Sequence, residues 1–206
     1  MLPSPFIFNG SDTAPTTIAL AHGAGAPMDT PFMQAFATGL AEQGCRVVRF
    51  EFPYMHERRK TGKKRPPNGA KILIETWTSV IDQLGPDNLV IGGKSLGGRI
   101  ASMVADEKGV KGLVCLGYPF HPPGKPEKLR VEHLQKLKTP ALFLQGDRDT
   151  LGNKEEVSGY CLSSSIRLHW LGDGDHGLKP RTKSGRTEQQ NWDEAVSAFG
   201  DFVTTL

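Results

Sequence analysis

Apolar and polar positions fall into blocks of two kinds along this chain. The first kind is a short run with little polar interruption. Six such runs occur: "TTIALAHG" (16–23), "CRVVRFEF" (45–52), "DNLVIGG" (87–93), "VKGLVCLGY" (110–118), "TPALFLQGD" (139–147) and "SSIRLHWLG" (164–172). Their length, their β-branched content and the glycines that close most of them predict buried strands. The second kind repeats its apolar positions every three to four residues. "DTPFMQAFATGLAEQG" (29–44) places Phe32, Phe36 and Leu40 on one side, with Asp29 or Thr30 as cap and Gly44 as stop. "AKILIETWTSVIDQLG" (70–85) does the same with Ile74, Trp77, Val80, Ile81 and Leu84. "SLGGRIASMVADEKG" (95–109) and "EQQNWDEAVSAFGDFV" (188–203) read as two more helices, the last with Trp192, Val196 and Phe199 inward.

Near-continuous apolar strands separated by helices predict a mostly parallel sheet of six or seven strands, covered on both faces. The expected architecture is α/β, a three-layer sandwich, with residues 1–206 forming one domain. No fixed-period repeat or linker divides it. Ligands of such sheets bind beyond the carboxyl ends of the strands. The residues just after each strand therefore carry the functional question.

"VIGGKSLGG", Val90 to Gly98, is the sharpest of these strand ends. Gly93-Lys94-Ser95 resembles the close of a phosphate loop, G-x-x-x-x-G-K-[ST]. That pattern needs a glycine at position 88, where Asn88 stands, and Leu89, Val90 and Ile91 belong to the strand. No room remains for a phosphate cradle. Gly93-x-Ser95-x-Gly97 fits instead a strand–turn–helix nucleophile elbow, in which small flanking residues let strand and helix pass close to a strained serine. The amide of Leu96, at the helix start, is then a donor for an oxyanion.

Such a serine needs partners in the chain order Ser, acid, His. Asp149 follows the penultimate strand in "GDRDTLG", with Asp147 as the turn-forming alternative. His176 follows the last strand in "GDGDHGLKP". The predicted catalytic group is Ser95, Asp149 and His176. The first long run ends in His22-Gly23-Ala24-Gly25, a glycine-rich turn that can aim a second amide, of Ala24 or Gly25, at the same oxyanion. His22 is expected to fix that loop.

These stretches carry a resemblance. "LAHGAGAPMD", "GGKSLGGRIAS", "GYPFHPPGKPEKLR" and "GDGDHGLKPR" resemble the α/β-hydrolase superfamily, and within it a family of small hydrolases related to the dienelactone hydrolases. The resemblance covers nearly the whole chain and implies the fold and the triad. The dienelactone enzymes use a cysteine nucleophile where position 95 here is serine, so lactone specificity is not implied.

The connection after the fifth run, Gly117 to Pro140, is rich in proline and holds one brief helix, "VEHLQKLK" (131–138). It leaves no room for a large cap, so the site is expected to be open. Tyr118, Phe120 and His121 are expected to wall the substrate pocket, with Met28 opposite and Phe32 assigned more to the core.

Composition narrows the setting. Six histidines without H-x-x-x-H and three cysteines without C-x-x-C provide no metal site, and no cofactor is implied. Cys45 and Cys115 lie in apolar runs, and an odd count makes no disulfide framework. "MLPSPFIFNG" carries no basic leader, and no run approaches a membrane span, so a cytoplasmic protein without a membrane partner is expected. The net charge of +3 is mild, but Arg58, Arg59, Lys60, Lys63, Lys64 and Arg65 crowd into "HERRKTGKKRPPN" (56–68). A solvated loop is expected there. A nucleic-acid contact is the less favoured alternative, since no aromatic residues interleave. The expected activity is a serine hydrolase cleaving a small ester-type substrate. Its rival is a binding or scaffold protein that keeps the fold without turnover.

Overall fold

A computed structural model describes residues 5–206; Met1 to Ser4, where the stretch inspected for a leader begins, lie outside the described residues. Seven strands form one sheet: β1 (Ile7–Asn9), β2 (Thr17–Ala21), β3 (Arg46–Phe50), β4 (Leu89–Lys94), β5 (Gly112–Leu116), β6 (Ala141–Gly146) and β7 (Ile166–Leu171). Their order is β1-β3-β2-β4-β5-β6-β7, parallel throughout except for β1, which pairs antiparallel with β3. β1 is the strand that periodicity misses: three half-exposed edge residues carry no pattern.

Among the described residues six α-helices complete the fold: α1 (Pro31–Glu42), α2 (Pro53–Thr61), α3 (Ala70–Leu84), α4 (Leu96–Lys108), α5 (Lys154–Ser158) and α6 (Glu188–Thr204). The start of α1 is set by Thr30, whose hydroxyl accepts from the Met33 amide, and by Pro31 in the first turn. Thr187 and Gln190 form a reciprocal capping box for α6.

Period-two alternation divides the strands between two cores. Ile18, Leu20 and Val90 face Met33, Phe36 and Leu40 of α1 and Phe199 of α6. Ala19 and Ile91 face Trp77, Val80 and Ile81 of α3 and Ile100 of α4. The result is an open sheet with helices on both faces, an α/β-hydrolase fold without a large cap. Among the described residues no helix is long and apolar enough to cross a membrane.

Two local expectations change. The basic run is not all loop: its first part is helical, as α2. Pro53 starts the helix, Tyr54 and Met55 anchor it by burial, and Gly62 at φ 68° ends it. The brief helix after β5 shrinks to a 3₁₀ turn, Glu132–Lys136.

The parallel order places a topological switch at the centre. From β2 the chain passes to β3 on one side, and later enters β4 on the other. Ala21 pairs with Gly93 across that junction. A crevice therefore opens between the carboxyl ends of β2 and β4, where this architecture binds ligands.

Candidate active site

β4 delivers Ser95 to the edge of that crevice. The residue adopts φ 50° and ψ −109°, a conformation side chains rarely occupy. The turn is affordable because its neighbours have no side chain. A Cβ on Gly93 would lie 2.1 Å from the Ala21 carbonyl oxygen, and one on Gly97 2.4 Å from the same atom. The Trp77 indole braces the turn from α3 by donating to the Gly97 carbonyl at 3.2 Å. Leu96 opens α4, so its amide is one of those a helix start leaves without an intrahelical acceptor.

β6 ends at Gly146, and the following turn is closed by the Asp149 amide on the Gly146 carbonyl. The Asp149 side chain is fully buried. Its Oδ2 meets His176 Nδ1 at 2.7 Å and accepts from Gln145 Nε2 at 2.8 Å, while Oδ1 accepts from the Leu151 amide at 2.8 Å. His176 Nε2 lies 2.9 Å from Ser95 Oγ. A buried carboxylate only accepts, so Nδ1 carries the proton and Nε2 is free to accept from the serine hydroxyl. Asp149, not Asp147, is the acid turned onto the histidine.

The histidine loop after β7 is held by polar side chains that periodicity cannot pick out. Asp175 accepts from the amides of Gly177 and Lys179. Arg148 and Arg181 both engage Asp173 and hold its carboxyl well below the usual carboxylate range, with the Arg181 hydrogen bond the largest cause. Arg148 precedes Asp149 by one residue, so this bridge ties the acid's loop to the histidine's.

Lys94, the variable residue of the elbow, donates through Nζ to the His176 carbonyl at 2.6 Å and sits 5.7 Å from the Phe32 ring centre. Burial pushes its ammonium down to about 8, against the attraction of Asp149 and Asp175.

After β2, His22 is fully buried. Its Nε2 accepts from the Phe52 amide at 3.1 Å, which leaves the proton on Nδ1 for the Gly23 carbonyl, 2.6 Å away. Burial lowers its pKa and keeps the ring neutral. Both ring nitrogens of His22 are thus committed to backbone groups, which fixes this loop.

Ser95 and His176 open into a cleft of about 480 Å³. Ala24 and Gly25 are among its lining residues, and Pro27, Phe32, Met33 and Trp192 supply apolar surface. Phe32 and Trp192 meet edge to face at 5.5 Å.

Four expected wall residues are elsewhere. Tyr118 and Phe120 are fully buried, His121 is 2% exposed, and none lines the cleft. After β5 the chain turns down into the core, where Tyr118 stacks on Phe143 at 5.0 Å and Phe120 packs near Tyr160. His121 lies beside Glu156 of α5. Full burial rewards these large rings more than a half-exposed pocket wall would. Met28 is buried too, 4% exposed, and Phe32 takes the wall position assigned to it.

Three arginines of the basic run are paired within the chain. Arg59 meets Glu51 and Asp29, Arg65 meets Glu57, and Arg58 donates to the Gly25 carbonyl.

A family model described as an alpha/beta hydrolase domain matches residues 14–204. Solved structures align over nearly the full chain at low identity. An alpha-beta serine hydrolase homologue from Coxiella burnetii matches at 19% identity and TM-score 0.72, covering 98% of this chain and 90% of that one. A dienelactone hydrolase from Anabaena variabilis gives 19%, 0.72, 97% and 90%. A serine hydrolase without lid from Xanthomonas campestris gives 16%, 0.69, 97% and 88%.

Proposed function

Because the chain belongs to the alpha/beta hydrolase domain family, we propose that it is a serine hydrolase cleaving small or exposed carboxylic esters through an acyl-enzyme on Ser95. One observation carries the proposal. An unbroken relay runs from Ser95 Oγ through His176 to buried Asp149, with contacts of 2.9 and 2.7 Å.

His176 Nε2 takes the serine proton as Oγ attacks the ester carbonyl carbon. Asp149 holds the tautomer and stabilises the imidazolium that forms. The carbonyl oxygen becomes an oxyanion and receives hydrogen bonds from the amides of Leu96 and of Ala24 or Gly25. Losing one such donor costs about a hundredfold or more in rate. His176 then protonates the departing alkoxide. Water, deprotonated by the same nitrogen, attacks the acyl carbon and releases the acid and Ser95.

The uncapped cleft suits acyl groups that reach the serine from solvent, with the Phe32–Trp192 edge receiving their apolar part. The absence of a lid in the Xanthomonas campestris hydrolase agrees with an open site.

A fluorophosphonate probe should label the wild type and spare Ser95→Ala. Short p-nitrophenyl esters should be turned over, with turnover lost in His176→Ala. Folded wild-type protein that neither labels nor turns over would return the chain to the scaffold alternative.

A further inference from the structure

The basic run left without a task begins in α2, and α2 lies against the loop after β2. Tyr54 Oη donates its one proton to the Ala24 carbonyl at 3.0 Å, while the Gly23 carbonyl before it is held by His22 Nδ1 at 2.6 Å. One helical turn on, Arg58 Nη1 donates to the Gly25 carbonyl at 2.9 Å. Arg59 extends the clasp, with Nη2 2.6 Å from Asp29 and Nε 2.7 Å from Glu51. Arg49, from β3, donates to the Met28 carbonyl at 3.1 Å. Three consecutive carbonyls of the loop, those of Gly23, Ala24 and Gly25, are thus each tethered.

The peptide bond makes that tethering consequential. In a trans peptide unit the C=O and the following N–H point opposite ways. A donor holding the Gly23 carbonyl turns the Ala24 amide to the far side, and one on the Ala24 carbonyl does so for the Gly25 amide. Ala24 and Gly25 line the cleft that holds Ser95. The segment is glycine-rich and, untethered, would sample many orientations. An oxyanion hole works because its donors are aimed before charge develops.

We propose that Tyr54 and Arg58 are positioning residues: Tyr54 holds the Ala24 carbonyl away from the cleft and so aims the Gly25 amide at the oxyanion, and Arg58 holds the next carbonyl, that of Gly25, and keeps the residue from swinging. The assignment rests on the serine-hydrolase function proposed above. It also gives the start of the basic run an intramolecular role.

The test uses the full chain with Tyr54→Phe, Arg58→Ala and Arg58→Lys. p-Nitrophenyl acetate reports kcat and KM. An aryl boronic acid, which forms a tetrahedral adduct on an active serine, reports affinity for the oxyanion geometry. Tyr54→Phe should lower kcat about tenfold or more. KM should stay within about twofold, and boronate affinity should fall by the factor lost in kcat. Its melting temperature should match the wild type. Arg58→Ala should show a smaller loss in the same pattern, and Arg58→Lys should recover most of it. Wild-type kcat and boronate affinity in both Tyr54→Phe and Arg58→Ala would overturn the proposal, as would losses that simply follow a lowered melting temperature. Wild-type protein that hydrolyses no ester and takes no fluorophosphonate label would instead overturn the serine-hydrolase function, and the positioning role with it.

Discussion

The ammonium of Lys94 donates to the backbone carbonyl of His176 at 2.6 Å, joining the residue before Ser95 to the loop that carries the imidazole. The two are 82 positions apart in sequence. A charge-assisted bond at that point fixes where the imidazole stands relative to Ser95. Lys94→Met keeps the apolar stem and removes the donor. It should lower kcat on p-nitrophenyl acetate about tenfold, as expected for a small displacement of a catalytic base, with KM little changed. An unchanged kcat would remove Lys94 from the positioning role.

The same ammonium makes stability depend on pH in a stated direction. Burial lowers it from an ordinary value of 10.5 to about 8. Below pH 8 both folded and unfolded chains hold the proton. Between about 8 and 10.5 the unfolded chain binds more protons, so this group's contribution to stability rises with pH. Urea unfolding of wild type and Lys94→Met at pH 7 and pH 9.5 isolates the contribution. The variant should lose ground against the wild type as pH increases. An advantage or deficit that is constant across the window would contradict the buried charge.

Gly97→Ala tests the clearance of the elbow. The added methyl would stand 2.4 Å from the Ala21 carbonyl oxygen and 2.8 Å from that of His22, both backbone atoms that cannot rotate away. Either α4 or the β2 end must shift, at a cost of about 1–3 kcal/mol. Because β2 leads into the loop bearing Ala24 and Gly25, activity should fall further than the stability loss explains. Chemical denaturation and ester turnover on the same preparation separate the two effects.

The group around Ser95 was legible because each member follows its own strand. Strands announce themselves by continuous burial, and their carboxyl ends converge in a parallel sheet whatever the loops do. So Ser95, Asp149 and His176 could be named from chain order, and the structure brings them within hydrogen-bonding distance. Tyr118, Phe120 and His121 also follow a strand, yet they turn inward. Whether a loop rises over the cleft or folds into the core depends on what lies beneath it. Here that is Phe143 and the short α5, contacts no local pattern encodes.

The clasp around the loop after β2 was illegible for a different reason. A charge run reads as solvated because its partners are distant in sequence: Arg58 reaches back 33 positions to Gly25, and Arg59 30 positions to Asp29. Tyr54 and Met55 carried the available hint. Two large apolar-bodied residues beside a basic run indicate a helix with one face buried, as α2 proves to be.

Trp192 lines the apolar side of the cleft. It stands in α6 and meets Phe32 of α1 at 5.5 Å, so the wall is assembled from two helices on the same face of the sheet. The indole Nε1 donates to the Gly177 carbonyl at 3.3 Å and makes no hydrogen bond to the side chains of Ser95, His176 or Asp149. An acetyl group is too small to need that wall; a butyryl or phenylacetyl group would lie against it. Trp192→Ala should leave kcat/KM for p-nitrophenyl acetate within about threefold and lower it for the larger acyl esters by about 10- to 100-fold, the worth of a few apolar groups in a pocket. Equal losses on all three esters would mean that the indole serves to hold the histidine loop through Gly177, and that acyl groups are received on another side of the cleft.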